Sequence, residues 1–212
     1  MHPFKRLLAC VLSTLVFAVA AAGASHASAQ EPPKKVIEKT INDALGILRN
    51  QGLKSDPKLR LSKLREVADR TFDWAAMAQS SLGAPWRQLT EAQRKEFIDV
   101  FKELLAQRYM NDLDRFQGSE ELTVGNAEQQ GDLAVVKSTL LTASREQIPI
   151  DYTLRLTAGK WRAEDVSIEG VSLVNHYRKT FSRFLNNKSF SDLMQQLKSK
   201  LGPGSASGPA PT

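Results

Sequence analysis

Four residues in one short stretch, DVSIEGVSLVNHYRKTF, are of the types that hydrolytic chemistry uses. Asp165 and Glu169 are acids, Ser172 a nucleophile and His176 a base. Ser172 and His176 stand four apart, one helical turn. His176 is also the only histidine beyond the first 29 residues, the others being His2 and His26. Against catalysis, the stretch has no G-x-S-x-G elbow, and one helical turn does not supply nucleophile, base and oxyanion hole together. The alternative is a strand running into a helix. At about 100° per residue from Tyr177, Leu173, Val174, Phe181, Phe184 and Leu185 gather into one stripe, and His176 and Arg178 flank it on opposite sides. Ser172 then reads as the helix N-cap. Asp165 and Glu169 fall on one face of the preceding strand, Val166 and Ile168 on the other. The pattern favours the joint.

The elements that must position this stretch begin after a leader. Lys5 and Arg6 precede an uncharged apolar run from Leu7 to Ala22, and Ala27-Ser28-Ala29 fits the small-x-small cleavage rule. Residues 1–29 are therefore expected to be a cleaved signal peptide, with a membrane anchor as the alternative; the run is shorter than the ~20 residues a spanning helix needs. Leu7-Leu8-Ala9-Cys10 faintly suggests a lipoprotein box, but no apolar segment precedes it. Cleavage removes Cys10, the only cysteine, and takes the net charge from +6 to +4 as Lys5 and Arg6 leave. An exported chain without disulfides suits a periplasm, and one remaining histidine with no cysteine argues against structural zinc. Export also argues against nucleic acid; an anionic lipid surface is the more natural partner of a mildly basic chain. Residues 30–201 suffice for one domain with a core, and 202–212, GPGSASGPAPT, read as a disordered tail.

The first half is helical. Pro32-Pro33 opens a helix to about Asn50, and Asp56-Pro57 opens a second. FDWAAMAQSSL is a short helix ending at Gly83, and Thr90 with Gln93 forms a capping box for the longest one, which runs to Phe116. After Gly118 the period becomes two. Strands are predicted at about 120–128, 133–143, 147–157 and 161–169, joined by hairpin loops at Gly131, Arg145 and Gly159. Ile148, Ile150, Tyr152, Leu154 and Leu156 share one face of the third, whose other face is polar; Pro149 there signals a nearby edge or a bulge. Two helices, at about 172–186 and 189–200, close the chain. The fold class is α+β: N-terminal helices, a four-stranded antiparallel meander, and C-terminal helices packed on one sheet face.

Apolar content exceeds what one sheet face needs. The long helix alone has Phe97, Ile98, Val100, Phe101, Leu104, Leu105, Tyr109 and Leu113. Each such residue is either core or the wall of a cavity. Arg108 and Asp112 in that stripe are either an i,i+4 ion pair or an arginine at a cavity mouth meeting a phosphate.

The stretch FDWAAMAQSSLGAPWRQLTEAQRKEFIDVFKELLAQRY resembles the signature of the MlaC family, periplasmic phospholipid-binding proteins also called toluene-tolerance auxiliary proteins. Phe72-Asp73-Trp74, Met77, Leu82-Gly83, Trp86, Leu89-Thr90, Phe97, Phe101, Leu104-Leu105 and Tyr109 carry the likeness. Asp151-Tyr152, Trp161, Asp165-Val166, Ile168 to Ser172, Tyr177-Arg178 and Phe181 continue it, so that it spans about 36–200. Trp74 and His176 depart from the pattern, which has phenylalanine or tyrosine and asparagine there. The resemblance implies a non-enzymatic monomeric carrier with no cofactor and no metal, holding lipid tails between sheet and helices. It implies exchange with an inner-membrane ABC transporter bearing an MCE-domain subunit and with an outer-membrane lipoprotein. On it, the expected cavity wall is Phe97, Phe101, Leu104, Leu105, Tyr109, Ile150, Tyr152, Leu154, Val166, Ile168, Val174, Tyr177 and Phe181, with Arg108 and Arg178 as head-group contacts. A hopanoid or other apolar lipid as cargo, a lipid-free adaptor and a lipid enzyme are the alternatives.

Overall fold

The computed structural model describes residues 30–113 and 119–202, the side chains of 110–113 excepted. The expected leader, nearly all of the tail, the Asp112 side chain and the far end of the long helix lie outside the described residues.

Helix α1 (Pro33–Arg49) starts on its proline, and a short α2 (Gln51–Lys54) follows, capped by the Asn50 side chain. In α3 (Pro57–Thr71) the Asp56 carboxylate accepts the Leu59 N–H at 3.0 Å, the expected cap. Helix α4 (Trp74–Leu82) is capped by Asp73 and ends at Gly83, whose φ of 74° and ψ of −137° only glycine adopts readily. A 3-10 turn (Ala84–Gln88) leads to α5 (Glu91–Leu113). There the Gln93 amide oxygen accepts the Thr90 N–H at 2.9 Å and the Thr90 hydroxyl the Gln93 N–H at 3.2 Å, completing the predicted capping box.

Five strands follow: β1 (Glu121–Gln130), β2 (Leu133–Leu141), β3 (Gln147–Thr157), β4 (Lys160–Ile168) and β5 (Val171–Ser172). They form one antiparallel meander in sequence order. The sheet has one strand more than the four expected. Glu169 and Gly170 both take positive φ, 51° and 78°, which reverses the chain within two residues. Val171 and Ser172 therefore pair back onto Ile168 and Ser167 instead of starting a helix directly. Pro149 sits one residue beyond the β3–β4 ladder, which ends at Ile150–Ile168, and its carbonyl accepts the Glu169 N–H at 2.9 Å. Helices α6 (Leu173–Leu185) and α7 (Phe190–Leu201) close the chain; Ser189 and Asp192 form a capping box on α7.

A bulge between Thr153/Leu154 and Ala163/Asp165 leaves Glu164 as an extra residue on β4. Alternation would place Trp161 and Ala163 opposite Val166 and Ile168. The bulge puts all four on one face, beside Leu156, Leu154, Tyr152 and Ile150 of β3.

Most of the buried apolar residues fall into two clusters. One joins α1 to the sheet: Ile37 and Ile41 pack with Ala134, Val136, Leu154, Trp161 and Ala163. The other is helical, built from Met77, Ala78, Leu82, Trp86, Leu89, Phe97, Val100, Phe101, Leu105, Val174, Phe181, Leu193, Met194, Leu197 and Leu201, and among the described residues it contains no strand residue. Phe72 flanks both. It pairs with Ala163 of β4, and the next residue, Asp73, donates its N–H to the Ala163 carbonyl at 2.8 Å, fixing the α3–α4 corner to the sheet.

Candidate functional site

The polar stretch is a structural joint. The Ser172 hydroxyl donates to Asp165 Oδ2 and accepts the Asn175 N–H at 3.0 Å. Asp165 Oδ1 also accepts the N–H groups of Val166 at 2.8 Å and Val174 at 3.1 Å. One carboxylate thus ties β4 to the first turn of α6, where exposed N–H groups favour an anion. The Ser172 hydroxyl bonds the Asp165 carboxylate and not the His176 imidazole. His176 is exposed, its ring 5.3 Å from that of Tyr177 and nearly perpendicular to it. The N-cap role of Ser172 is as expected. That of Asp165 was not legible: its position in the alternation reads as a wet face, and only the reversal at Glu169-Gly170 brings α6 back over it.

The expected wall residues fall into three settings. Phe97, Phe101, Leu105, Val174 and Phe181 are buried in the helical cluster. Their rings interlock: Phe101 lies 6.0 Å from Phe97, 5.4 Å from Tyr177 and 6.2 Å from Phe181. Leu104, Tyr109 and Tyr177 are half-buried against that cluster. On the sheet, Leu154 is enclosed with α1, Val166 is buried outside both clusters, and Tyr152 is half-buried. Ile150 and Ile168, paired at the end of the apolar face away from Trp161, are half-buried as well. Leu122, Leu140 and Ile148 share that end and are half-buried; all but Leu122 lie outside both clusters.

Two tyrosines report on this region. Burial pushes the Tyr152 phenol up to about 12, with the neighbouring Ser138 hydroxyl acting weakly the other way. Tyr177 is also pushed up to about 12, first by burial and then by Tyr109, against the opposing pull of the Arg108 guanidinium. Both side chains nevertheless keep accessible surface.

The two arginines lie in different surroundings. Arg108 is exposed, its guanidinium 5.7 Å from the Tyr109 ring centre and close enough to act on Tyr177. Arg178 donates its Nε–H to the Ser80 carbonyl at 2.6 Å, at the end of α4. Among the described residues no group of three or more histidine, cysteine, aspartate or glutamate side chains could hold a metal ion, and no helix is long and apolar enough to cross a membrane.

Residues 38–199 match the profile of the family described as MlaC protein. The toluene tolerance protein ttg2D of Pseudomonas putida is 25% identical over 158 residues, 73% of each chain. A phospholipid-binding protein of Ralstonia solanacearum, solved in complex with a phospholipid at 1.53 Å, superposes with a TM-score of 0.69 at 23% identity, covering 81% of this chain and 97% of that one.

Proposed function

Because the chain belongs to the MlaC family, we propose that it is a periplasmic carrier that binds the acyl tails of a phospholipid in the recess between sheet and helices. The observation that carries this reading is the divided core. Two packed clusters leave half-buried apolar residues outside the close-packed interior. The proposed wall is Leu104, Tyr109, Ile150, Tyr152, Val166, Ile168 and Tyr177. Phe97, Phe101, Leu105, Val174 and Phe181 form the layer behind the helical side, and Leu154 the layer behind the sheet. Arg108, beside Tyr109 and Tyr177, meets the head group; Arg178, held by the Ser80 carbonyl, is left out of this site. The relative from Ralstonia solanacearum, described as phospholipid-binding, supports the choice of cargo.

The chemistry asked of such a site is physical. Two acyl chains carry about 30 methylenes, worth ~24 kcal/mol of desolvation at ~0.8 kcal/mol each. A lipid does not cross water at that cost unaided. Bilayer and recess both bury the tails, so transfer between them is close to balanced, and docking energies decide its direction. The proposed setting is an Mla-type system, with an inner-membrane ABC transporter bearing an MCE-domain subunit and an outer-membrane lipoprotein as donor and acceptor. The Ser172–Asp165 bond supports a carrier without hydrolytic chemistry.

Mass spectrometry of an organic extract of the purified protein tests the reading. Near-stoichiometric diacyl phospholipid is expected. A hopanoid in its place would change the cargo. A protein that is lipid-free and takes up no lipid from vesicles would sink the carrier reading.

A further inference from the structure

A concavity that shares no lining residue with the proposed wall lies between the end of α4, the 3-10 turn and α6. It has a volume of about 430 Å3, and Gln79, Ser80, Trp86, Arg87, Arg178 and Ser182 line it. Arg178 and Arg87 bring two cations, and among the described residues no acidic side chain lines the cleft. Several cations elsewhere are paired. Lys39 and Arg70 meet Asp43, Lys102 meets Asp69, Arg65 meets Glu103, Lys198 meets Glu96, and Arg155 meets Glu164 and Asp132. Another cleft, about 410 Å3 beside Trp161, differs in carrying both signs: Glu31 and Asp43 stand among Lys39, Arg70, Lys160 and Arg162. Helix α6 adds exposed Lys179 and Arg183 and contains no acid between Leu173 and Leu185.

The cleft is also held in shape. The Arg178 Nε–H bond to the Ser80 carbonyl at 2.6 Å fixes that guanidinium and leaves its terminal amino groups as donors. Trp86 is buried beneath Arg94, whose guanidinium lies 5.6 Å over the ring and whose N–H groups bond the carbonyls of Trp86 at 3.3 Å and Arg87 at 3.4 Å. Arg94 therefore fixes the 3-10 turn that carries Arg87. A planar guanidinium fork beside a second cation in a recess accepts carboxylates better than a flat bilayer surface.

We infer that this cleft docks an acidic segment of a partner protein, its Asp or Glu carboxylates received by Arg87 and Arg178. The site lies apart from the lipid wall and adds a charge-steered contact to the carrier.

Fluorescein-labelled hexaglutamate, with hexaglutamine as the uncharged control, is the probe. The full chain should bind hexaglutamate alone, more weakly as salt rises. Arg87→Gln with Arg178→Gln should weaken binding about tenfold. Lys54→Gln with Lys58→Gln, which removes the same charge from exposed sites on α2 and α3, should change it less than about twofold. Ser182→Asp places a carboxylate in the cleft without touching the Arg178–Ser80 bond and should also weaken binding about tenfold. Equal losses in the two double variants would reduce the effect to net charge and overturn the site. So would the absence of hexaglutamate binding, including the case where only anionic phosphatidylglycerol vesicles bind and the arginine variant loses them. Lipid content, extracted from the same preparations, should stay constant, so failure here is distinguishable from failure of the carrier reading.

Discussion

Replacing Phe101 by alanine and Tyr152 by tryptophan separates packed interior from cavity wall. Phe101 has no exposed surface and contacts three aromatic rings at 5.4 to 6.2 Å. Truncating a phenylalanine so enclosed costs ~3–5 kcal/mol, the transfer term plus the void it leaves. For a domain of this size each kcal/mol lowers Tm by about 2–4 °C, so a fall of roughly 6–20 °C is expected. Tyr152 lies on the sheet between Val136 and Val166 in register and keeps accessible surface. In a packed core its enlargement would strain the structure by ~1–3 kcal/mol; in an open recess the added ring fills space that lipid occupies. Tyr152→Trp is therefore expected to melt within about 1 kcal/mol of the parent when delipidated, yet to hold less lipid. Urea melts of delipidated protein, paired with lipid extraction after incubation with vesicles, read both quantities. A large stability loss with unchanged lipid content would place Tyr152 in ordinary core and remove it from the wall. A Phe101→Ala protein of near-parent stability would show that the helical cluster is not close-packed.

Ser172→Ala should cost ~1–2 kcal/mol through the lost cap and the lost Asp165 partner, and His176→Ala almost nothing, with lipid transfer intact in both; loss of transfer in well-folded His176→Ala would revive the chemistry. Asp165→Ala should cost more, ~3 kcal/mol, and combine with Ser172→Ala less than additively by about 1 kcal/mol; a strictly additive double-mutant cycle in urea would dissolve the proposed network. Stability should decline between pH about 10 and about 12, because the raised Tyr152 and Tyr177 phenols bind their protons more tightly folded than unfolded, and that advantage is lost as pH rises through the folded values. Ultraviolet titration that found both ionising near 10 would contradict their burial. Gly83→Ala should cost ~1–3 kcal/mol from backbone strain alone, since a Cβ there meets nothing within 4 Å but φ is +74°; an unchanged melt would refute it.

Local rules made most of the elements legible. Asp56-Pro57, Thr90 with Gln93 and Ser172 are caps whose chemistry is complete within four residues, and each helix starts where they place it. The strands, too, follow from alternation, up to the point where alternation breaks. The extra residue Glu164 shifts the parity of β4, so Trp161 shares a face with Val166 although the count opposes them. No feature of the residues around Glu164 announces a bulge. The candidate site fares less well for a related reason. Phe101 and Tyr109 belong to one apolar stripe of α5 and look equivalent in sequence. One is enclosed by three rings and the other is half-buried, a difference owed largely to Tyr177 and Phe181 of α6, a helix that starts some 70 residues later. Arg178 is likewise expected from the sequence at a head group, and nothing in the local pattern shows the Ser80 carbonyl of α4 that holds its guanidinium.

The divided core suits the proposed task. A carrier must survive empty, when its wall faces water, and full, when lipid supplies the missing contacts. Were the wall also the main source of cohesion, unloading would unfold the chain, since a domain has only about 5–15 kcal/mol of stability to lose. Here the interlocked rings of Phe97, Phe101 and Phe181 lie behind the helical wall, and Ile37, Val136, Leu154 and Trp161 behind the sheet. Neither cluster needs the cargo to be close-packed. The Asp165–Ser172 joint and the Phe72–Ala163 bridge hold the two together at β4. Loading then changes the contacts of the wall and leaves the packing behind it untouched.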